Sequence, residues 1–307
     1  MTGYFDLQVN GFHGVDFNAD DSDVDAIREA CLWLADDGAT AFLPTIITAE
    51  LEKMIARISA VAAAIDADAS VAGLVRGIHV EGPFINPADG FVGAHPRAAV
   101  LPADPDVARR LIDAGRGHVR LVTLAPESDA DMRTTSWLAG QGIVVAAGHS
   151  DASRDELAAA ADAGLSLFTH LGNGCPGVLP RHDNIVQRVL SLSDRLFVSF
   201  IADGHHVPMF ALQNYLQTIA PERIVIVSDA ITAAGLGPGR HRLSDQVVDV
   251  DADGAAWSAD RKHFAGSATP ISRMTRILRD ELGIDDTTLR RWTWDNPGRL
   301  MGLERTP

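Results

Sequence analysis

The stretch Gly77-Ile78-His79-Val80-Glu81-Gly82-Pro83-Phe84 decides the fold of this chain. The apolar run at residues 74–80 is typical of a β-strand, and the Gly-Pro pair ends that strand because neither residue continues one. Glu81 is therefore predicted to lie at the carboxyl end of a strand. Three other apolar runs end in the same way, at His149, His170 and Asp229. This repeated pattern is typical of a parallel sheet with an active site at the carboxyl ends of its strands.

Strands and helices alternate along the sequence. The eight predicted strands are residues 5–9, 41–45, 74–81, 119–124, 143–149, 165–170, 197–201 and 224–229. Helical stretches lie between them, so the sequence predicts an α/β fold, a (β/α)8 TIM barrel. We expect a single barrel domain over residues 1–307, with a β-hairpin insertion at 240–265. A doubly wound open sheet is the alternative, because a sequence does not show whether a sheet closes.

The composition fits a globular protein and excludes several classes of partner. The chain has 307 residues, with 26 lysines and arginines against 41 aspartates and glutamates, a net charge of −15. There is no basic cluster, so we expect no nucleic-acid partner. We also expect no membrane partner and a cytoplasmic location, because the sequence shows neither a signal peptide nor an apolar run of transmembrane length. Cys31 and Cys175 are too few for a disulfide framework.

Three of the strand-end residues form a candidate metal-binding set. Glu81, His149 and His170 supply one oxygen and two nitrogen donors, which suit zinc and also iron, manganese or cobalt. Three protein ligands leave a coordination position for water or substrate, and a metal ion lowers the pKa of a bound water from ~15.7 to ~7. Asp229 is then placed to take a proton from water and pass it to a leaving group. The expected cofactor is one divalent metal ion, zinc in the first instance.

Two further histidines follow predicted strands. His95 lies in the long loop after Glu81, and His206 follows the strand at 197–201; either could polarise a carbonyl group or hold a substrate. The remaining histidines are expected to be structural or at the surface, and they are His13, His79, His118, His182, His205, His241 and His263.

Several short motifs carry a family resemblance. In chain order they are Asp6-Leu7-Gln8-Val9-Asn10-Gly11, His79-Val80-Glu81-Gly82-Pro83-Phe84, Gly93-Ala94-His95, Gly148-His149-Ser150, Thr169-His170-Leu171, Ala202-Asp203-Gly204-His205-His206-Val207, Ser228-Asp229-Ala230, Ala265-Gly266-Ser267 and residues 296–303. Together they resemble the N-acetylglucosamine-6-phosphate deacetylases of the amidohydrolase superfamily, over residues 5–303. The resemblance implies a TIM-barrel hydrolase that removes the acetyl group from an N-acetylated amino sugar, giving the free amino sugar phosphate and acetate. A homodimer with loops shared across its interface would fit the family.

The resemblance also implies roles for individual residues. The implied metal ligands are Glu81, His149 and His170. Asp229 would activate water and then protonate the departing amine, while His206 and His95 would contact the substrate. Many amidohydrolases bind a second metal ion through a His-x-His pair at the end of the first strand, where this chain has Gln8 and Asn10. Neutral amides are poor zinc ligands, so a mononuclear site is expected.

The chain departs from the family pattern in two places. The family carries a small β-sandwich beside the barrel, and at most a remnant of it is expected here, the hairpin at 240–265. The loop after His170 has its own sequence, in which Asn173 and Gly174 are predicted substrate-binding residues. Arg181 in the same loop is the candidate for binding a phosphate, although it could equally cap a helix or face solvent.

Two alternatives to this function stay open at this point. The same site could act on another acylated amine or on a cyclic amide, because the altered loop after His170 changes the surroundings of the substrate. A non-catalytic sugar-binding barrel is the third reading, and it is disfavoured because the whole constellation of candidate residues is present.

Overall fold

The computed structural model describes residues 3–243, 246–261 and 264–303 of the chain. Its centre is an eight-stranded parallel sheet in which the strands follow one another in chain order. These strands, β1 to β8, are Tyr4–Val9, Ala39–Ile47, Ile78–Glu81, Val119–Leu124, Val144–Ala147, Leu165–Phe168, Phe197–Ile201 and Ile224–Val227. A parallel bridge between Val9 and Ala230 joins the first strand to the chain just after the last. The predicted (β/α)8 barrel is therefore confirmed, and the open-sheet alternative is not.

Helices lie between the strands and pack on the outside of the barrel. The helices α1 to α11 are Val24–Asp37, Leu51–Ala67, Ala69–Leu74, Pro105–Ala114, Arg133–Gly140, Arg154–Asp162, Ile185–Leu190, Met209–Thr218, Ile271–Leu282, Asp286–Arg290 and Asn296–Leu300. A capping box begins α6, in which Ser153 Oγ accepts from the N–H of Glu156 and the Glu156 carboxylate accepts from the N–H of Ser153. Within the described ranges, no helix has the length and apolar character needed to span a membrane.

The strand that carries Glu81 is shorter than the sequence predicts. It covers Ile78–Glu81, whereas the apolar run begins at residue 74, and the segment before it forms α3. Asp68 begins α3 by accepting hydrogen bonds from two of its backbone N–H groups. This capped helix takes up Leu74, the first residue of the predicted strand, and Val75 forms only an isolated parallel bridge with Phe42 before β3 begins.

The region predicted as a hairpin at 240–265 forms a larger structure, which we call the inserted sheet. Its antiparallel strands β9 to β11 are Gly239–Leu243, Gln246–Val250 and Ala256–Ser258. A bridge between Trp257 and Phe264 continues the pairing beyond β11. Residues 244–245 and 262–263 lie outside the described residues, and so does the prediction for His263.

The interior of the barrel contains polar side chains that satisfy one another. His79 is buried between two threonines, with Nδ1 3.2 Å from Thr45 Oγ1 and Nε2 2.8 Å from Thr123 Oγ1. Burial lowers the pKa of His79 to about 4, which keeps the imidazole neutral. His79 therefore has the structural role that the sequence predicts for it.

A buried carboxylate bridges the first and last strands of the barrel. Asp6 Oδ1 accepts from the backbone N–H groups of Gln8, at 3.2 Å, and of Ser228, at 3.1 Å. Ser228 Oγ in turn donates to the carbonyl oxygen of Gln8 at 3.2 Å. Burial raises the pKa of Asp6 to about 7. These contacts fix the position of Gln8 along the barrel axis relative to the chain that follows β8.

Candidate metal and catalytic site

The carboxyl ends of the strands surround a pocket with a volume of about 390 Å³. Most of the predicted site residues line it, namely Glu81, His95, His149, His170, Asn173, Gly174, His206 and Asp229. Arg181 is exposed and is not among the described residues that line this pocket. A role for Arg181 in binding a phosphate therefore stays a prediction.

Glu81 lies at the bottom of the pocket between two imidazoles. Its Oε1 atom is 3.0 Å from His170 Nε2 and 3.4 Å from His149 Nε2. Burial opposes ionisation of Glu81, but the hydrogen bonds from His149 and His170 outweigh it, so the pKa of this carboxyl is well below its usual range. His149 Nδ1 donates to the carbonyl oxygen of Phe91 at 2.7 Å, which leaves Nε2 to face the carboxylate. A hydrogen bond from the other ring nitrogen to a carbonyl oxygen fixes the tautomer of a histidine that binds metal.

His95 lies closer to this cluster than the sequence predicts. The donor atoms of Glu81, His95 and His149 all lie within 4.8 Å of one another, and His95 Nε2 is 3.9 Å from Glu81 Oε2. His95 Nδ1 contacts Thr48 Oγ1 at 2.9 Å, so Nε2 is the nitrogen that faces the pocket. Burial, with His149 beside it, lowers the pKa of His95 to about 3. His95 is thus a neutral imidazole within reach of whatever Glu81 and His149 bind.

The donor set fits a divalent metal ion. One carboxylate and several imidazole nitrogens converge within a few ångströms in a buried site, which is the ligand chemistry of zinc and its neighbours. His170 adds a second indication, because its Nδ1 atom is buried and has no hydrogen-bond partner among the described residues. Most buried polar side-chain atoms in folded proteins have a hydrogen-bond partner.

The backbone is strained at three of the strand-end residues. His149, His170 and Asp229 have backbone φ angles of 50°, 32° and 51°. These angles lie in the left-handed region, which residues other than glycine rarely adopt. Each of these residues lies two positions beyond the last residue of its strand. The left-handed turn ends each strand and leaves the side chain at the rim of the pocket. Strain of this kind concentrates at functional sites.

Two glycines from different loops pack against the imidazole of His149. A Cβ atom on Gly174 would lie 2.9 Å from His149 Nδ1, and one on Gly93 would lie 3.1 Å from His149 Cε1. Both glycines have positive φ angles, of 59° and 57°. Together with the bond to the Phe91 carbonyl group, these contacts hold the ring in place. Gly174 therefore contacts a candidate metal ligand as well as lining the pocket.

Asp229 is held by two amide side chains from the end of β1. Its Oδ1 atom accepts from Asn10 Nδ2 at 2.7 Å and from Gln8 Nε2 at 3.0 Å. Gln8 Nε2 also donates to Glu81 Oε1 at 3.0 Å, and Gln8 Oε1 accepts from Thr169 Oγ1 at 2.9 Å, so the orientation of its amide is determined. Burial, with Glu81 beside it, raises the pKa of Asp229. A raised pKa suits a carboxylate that must exchange protons near neutral pH.

His206 is paired with a carboxylate that the sequence analysis did not single out. His206 Nδ1 is 2.7 Å from Asp203 Oδ2, and Asp203 is itself buried. The Asp-x-x-His spacing after β7 is the signal that could have identified this pair. Burial opposes protonation of His206, but the carboxylate of Asp203 outweighs it and raises the pKa of the imidazole.

An aromatic wall from the inserted sheet forms one side of the pocket. Trp257 and Phe264 line it, with ring centroids 4.3 Å apart, and Phe264 lies 4.8 Å from the ring of His206. Trp257 Nε1 donates to Asp251 Oδ2 at 2.9 Å, which fixes the indole. The sequence did not predict this wall, because it depends on how the inserted sheet folds back over the barrel.

The chain is similar to proteins of known activity along nearly its whole length. Human N-acetylglucosamine-6-phosphate deacetylase is 35% identical over 320 residues, which cover 99% of this chain and 75% of that protein. N-acetylgalactosamine-6-phosphate deacetylase from Escherichia coli O157:H7 is 30% identical, with 98% and 78% covered. A solved structure shows the same likeness: it is a variant N-acetyl-D-glucosamine-6-phosphate deacetylase from Mycobacterium smegmatis in complex with N-acetyl-D-glucosamine-6-phosphate. Its sequence is 31% identical to this chain and the TM-score is 0.88, with 98% of this chain and 77% of that chain covered. No family model matches the chain.

Proposed function

The chain belongs to the N-acetylglucosamine-6-phosphate deacetylase family, and we propose that it hydrolyses the acetamide of an N-acetylated amino sugar 6-phosphate to acetate and the free amino sugar phosphate. The observation that carries the proposal is the convergence of Glu81, His149, His170 and Asp229 in one pocket at the carboxyl ends of the strands. Amide hydrolysis needs an activated water, a group that stabilises the developing oxyanion and an acid for the departing amine. The pocket contains a candidate for each.

We assign Glu81, His149 and His170 as the residues that would hold one divalent metal ion, with zinc as the first choice and iron, manganese or cobalt as alternatives. When bound, the ion would lower the pKa of water and polarise the acyl oxygen. The distances from Glu81 Oε1 to both imidazoles and the fixed tautomer of His149 support this set. His95 lies close enough to join the ligands or to contact the acyl group.

Asp229 would move the proton in both halves of the reaction. It takes a proton from the water that attacks the carbonyl carbon, and it gives that proton to the nitrogen as the C–N bond breaks. Gln8 and Asn10 hold its Oδ1 atom through two hydrogen bonds, which leaves Oδ2 as the oxygen for the proton. The raised pKa of Asp229 brings the proton affinity of the carboxylate closer to those of the attacking water and the departing amine.

His206 and Asn173 would bind the substrate around this centre. His206 has Nε2 as the ring nitrogen left for a ligand, because Nδ1 is bound to Asp203. In its protonated form, the His206 ring can donate from Nε2 to the oxyanion that develops on the acyl oxygen. Asn173 lines the pocket from the loop after β6 and can donate to the sugar or its phosphate.

Acetate release from N-acetylglucosamine 6-phosphate tests the proposal, with unphosphorylated N-acetylglucosamine beside it and with the metal content measured by elemental analysis. We expect about one metal ion per chain and preferential cleavage of the phosphorylated sugar. In Asp229→Asn the metal should stay bound while kcat falls by roughly 10²–10⁴, the usual range for a lost general base. Near-normal turnover in that variant would contradict the role of Asp229.

A second candidate substrate differs only at one hydroxyl group. Two of the relatives, at 30% and 32% identity, are N-acetylgalactosamine-6-phosphate deacetylases. We therefore propose to include N-acetylgalactosamine 6-phosphate in the same assay. The ratio of kcat/KM for the two epimers decides between these substrates without any change to the chemistry.

A further inference from the structure

The Asp203 carboxylate uses both of its oxygens to hold the loop that carries His206. Oδ1 accepts from the backbone N–H groups of His205 and His206, each at 2.9 Å. Oδ2 accepts from His206 Nδ1 at 2.7 Å and from Ser267 Oγ at 3.0 Å. Four hydrogen bonds to one buried carboxylate leave it a single orientation, and they leave the His206 ring a single orientation as well.

The geometry points to Asp203 as the positioning residue that fixes the His206 ring with its Nε2 atom toward the pocket, an assignment that rests on the proposed hydrolysis. Asp203 itself contacts no substrate in this arrangement, because its oxygens are taken up by the loop, His206 and Ser267. It acts through the imidazole. Because pre-aligned groups need no reorganisation during the reaction, the effect should appear in kcat more than in KM.

Ser267 links this pair to the turn that carries the proposed base. Its backbone N–H donates to the carbonyl oxygen of Asp229 at 2.9 Å, while its hydroxyl group donates to Asp203. The backbone N–H of Ile231 returns a hydrogen bond to the Ser267 carbonyl oxygen at 3.1 Å. The position of His206 is thus tied to that of Asp229, so that the proton-transfer group and the oxyanion donor keep a constant separation.

The same contacts determine the protonation of His206. The charged groups that act on it are Asp203 and Asp229, and both favour the imidazolium form against the effect of burial. With Nδ1–H bound to Asp203, a neutral ring presents a bare Nε2 and cannot donate, whereas the imidazolium presents Nε2–H to the acyl oxygen. Activity should therefore fall as the pH rises through the pKa of His206.

Asp203→Asn tests this in the metal-loaded enzyme. The amide oxygen can still accept from both backbone N–H groups, while the NH₂ group replaces Oδ2 and donates to His206 Nδ1. Above its lowered pKa the neutral ring then keeps a proton on Nε2 and can still donate from it, but without a positive charge. We expect kcat to fall roughly tenfold to a hundredfold with KM nearly unchanged, since a charge-assisted hydrogen bond becomes a neutral one. The alkaline decline of kcat should also disappear.

A nitrogen NMR titration of the imidazoles supplies a readout that does not need turnover, with the His206 signal identified by its loss in His206→Gln. We expect a His206 pKa above the ordinary value of about 6.5 in the wild type and below it in Asp203→Asn. Ser267→Ala removes one of the four bonds but keeps the carboxylate of Asp203, so the His206 pKa should stay above the ordinary value while kcat falls by a smaller factor than in Asp203→Asn. This variant keeps the test open if Asp203→Asn folds poorly.

Asp129→Asn is the matched control. Asp129 is another buried carboxylate, and it accepts from the N–H groups of Thr134 and Thr135 and from Thr135 Oγ1, away from the pocket. This variant should be less stable than the wild type but should show the same decline of kcat at alkaline pH. If Asp203→Asn leaves both the His206 pKa and the decline of kcat at alkaline pH unchanged, the assignment is overturned. A wild type that releases no acetate would instead overturn the proposed hydrolysis, while the titration would still decide whether Asp203 holds the imidazolium.

Discussion

Gly174→Ala separates two roles that this glycine could have. The sequence predicts that Gly174 binds substrate, whereas the structure also places it against the ring of His149, a proposed metal ligand. An added methyl group would lie 2.9 Å from Nδ1 and 3.1 Å from both Cε1 and Cγ of that ring, closer than side chains normally approach. Because Nδ1 also donates to the carbonyl oxygen of Phe91, the ring cannot move aside without weakening that bond. The ring must therefore tilt, and its Nε2 atom must leave its place beside Glu81.

Gly174→Ala is expected to lose both stability of the loop and affinity for metal. Alanine in the left-handed region at φ 59° destabilises the loop by about 1–2 kcal/mol. Displacement of the His149 ring should weaken metal binding roughly tenfold to a hundredfold, the range seen when contacts that orient a ligand are lost. That range corresponds to about 1.4–2.8 kcal/mol in binding free energy. The effect on KM for substrate should be small once the metal site is saturated.

Metal affinity is measured by competition with a chromophoric chelator, and KM is measured on the metal-saturated enzyme. Gly177→Ala is the control in the same loop, since a Cβ atom there would meet nothing within 4 Å. Gly237 has a φ angle of 82°, and a Cβ atom there would also meet nothing within 4 Å. Gly237→Ala therefore measures the cost of the backbone strain without any contact to a histidine ring. An unchanged metal Kd together with a raised KM in Gly174→Ala would refute the ring-packing argument and favour direct contact with substrate.

Two further predictions concern a buried carboxylate and the aromatic wall. Asp6 is protonated more readily in the folded than in the unfolded chain, so its contribution to stability is complete below pH 4 and is lost as the pH rises through about 7. The shift from 3.8 to about 7 corresponds to about 4 kcal/mol at most. Asp6→Asn keeps the acceptor for both backbone N–H groups, so its urea-unfolding free energy relative to the wild type should increase between pH 4.5 and 7.5; a constant difference would contradict this. Trp257→Ala should raise KM roughly threefold to tenfold with little change in kcat, because an aromatic contact contributes about 0.5–1.5 kcal/mol beyond its buried area; Trp257→Phe should recover most of the loss, and an equal loss in kcat would indicate a collapsed pocket instead.

The strand ends could be predicted because their signal is local. An apolar run followed by a chemically active residue marks the carboxyl end of a parallel strand whatever the rest of the chain does. Glu81, His149, His170 and Asp229 were recognised in this way, and all four line the pocket. The limit of this approach appears at the start of the strand that carries Glu81, because residues 74–77 of the apolar run lie outside β3.

The residues that the sequence did not reveal act over long distances along the chain. The pairing of Asp203 with His206 has a local signal, but the bond from Ser267, 64 residues later, does not, and the aromatic wall requires the inserted sheet to fold over the barrel. The roles of Gln8 and Asn10 show the same limit. Their amide side chains were understood as weak metal ligands, while their hydrogen bonds to Glu81 and Asp229 depend on closure of the first strand against the last.

The strained turns explain why three active residues can share one pocket. In a regular strand, successive side chains point alternately to the barrel interior and to the helices, so only some residues at a strand end face the pocket, as Glu81 does at the end of β3. A left-handed residue breaks that alternation and redirects the side chain, at a cost of about 1–3 kcal/mol each. His149, His170 and Asp229 all adopt this conformation. The ladder hydrogen bonds of eight strands and the amides of Gln8 and Asn10 are the contacts that offset the cost, which makes the rigidity of the barrel a condition of its proposed chemistry.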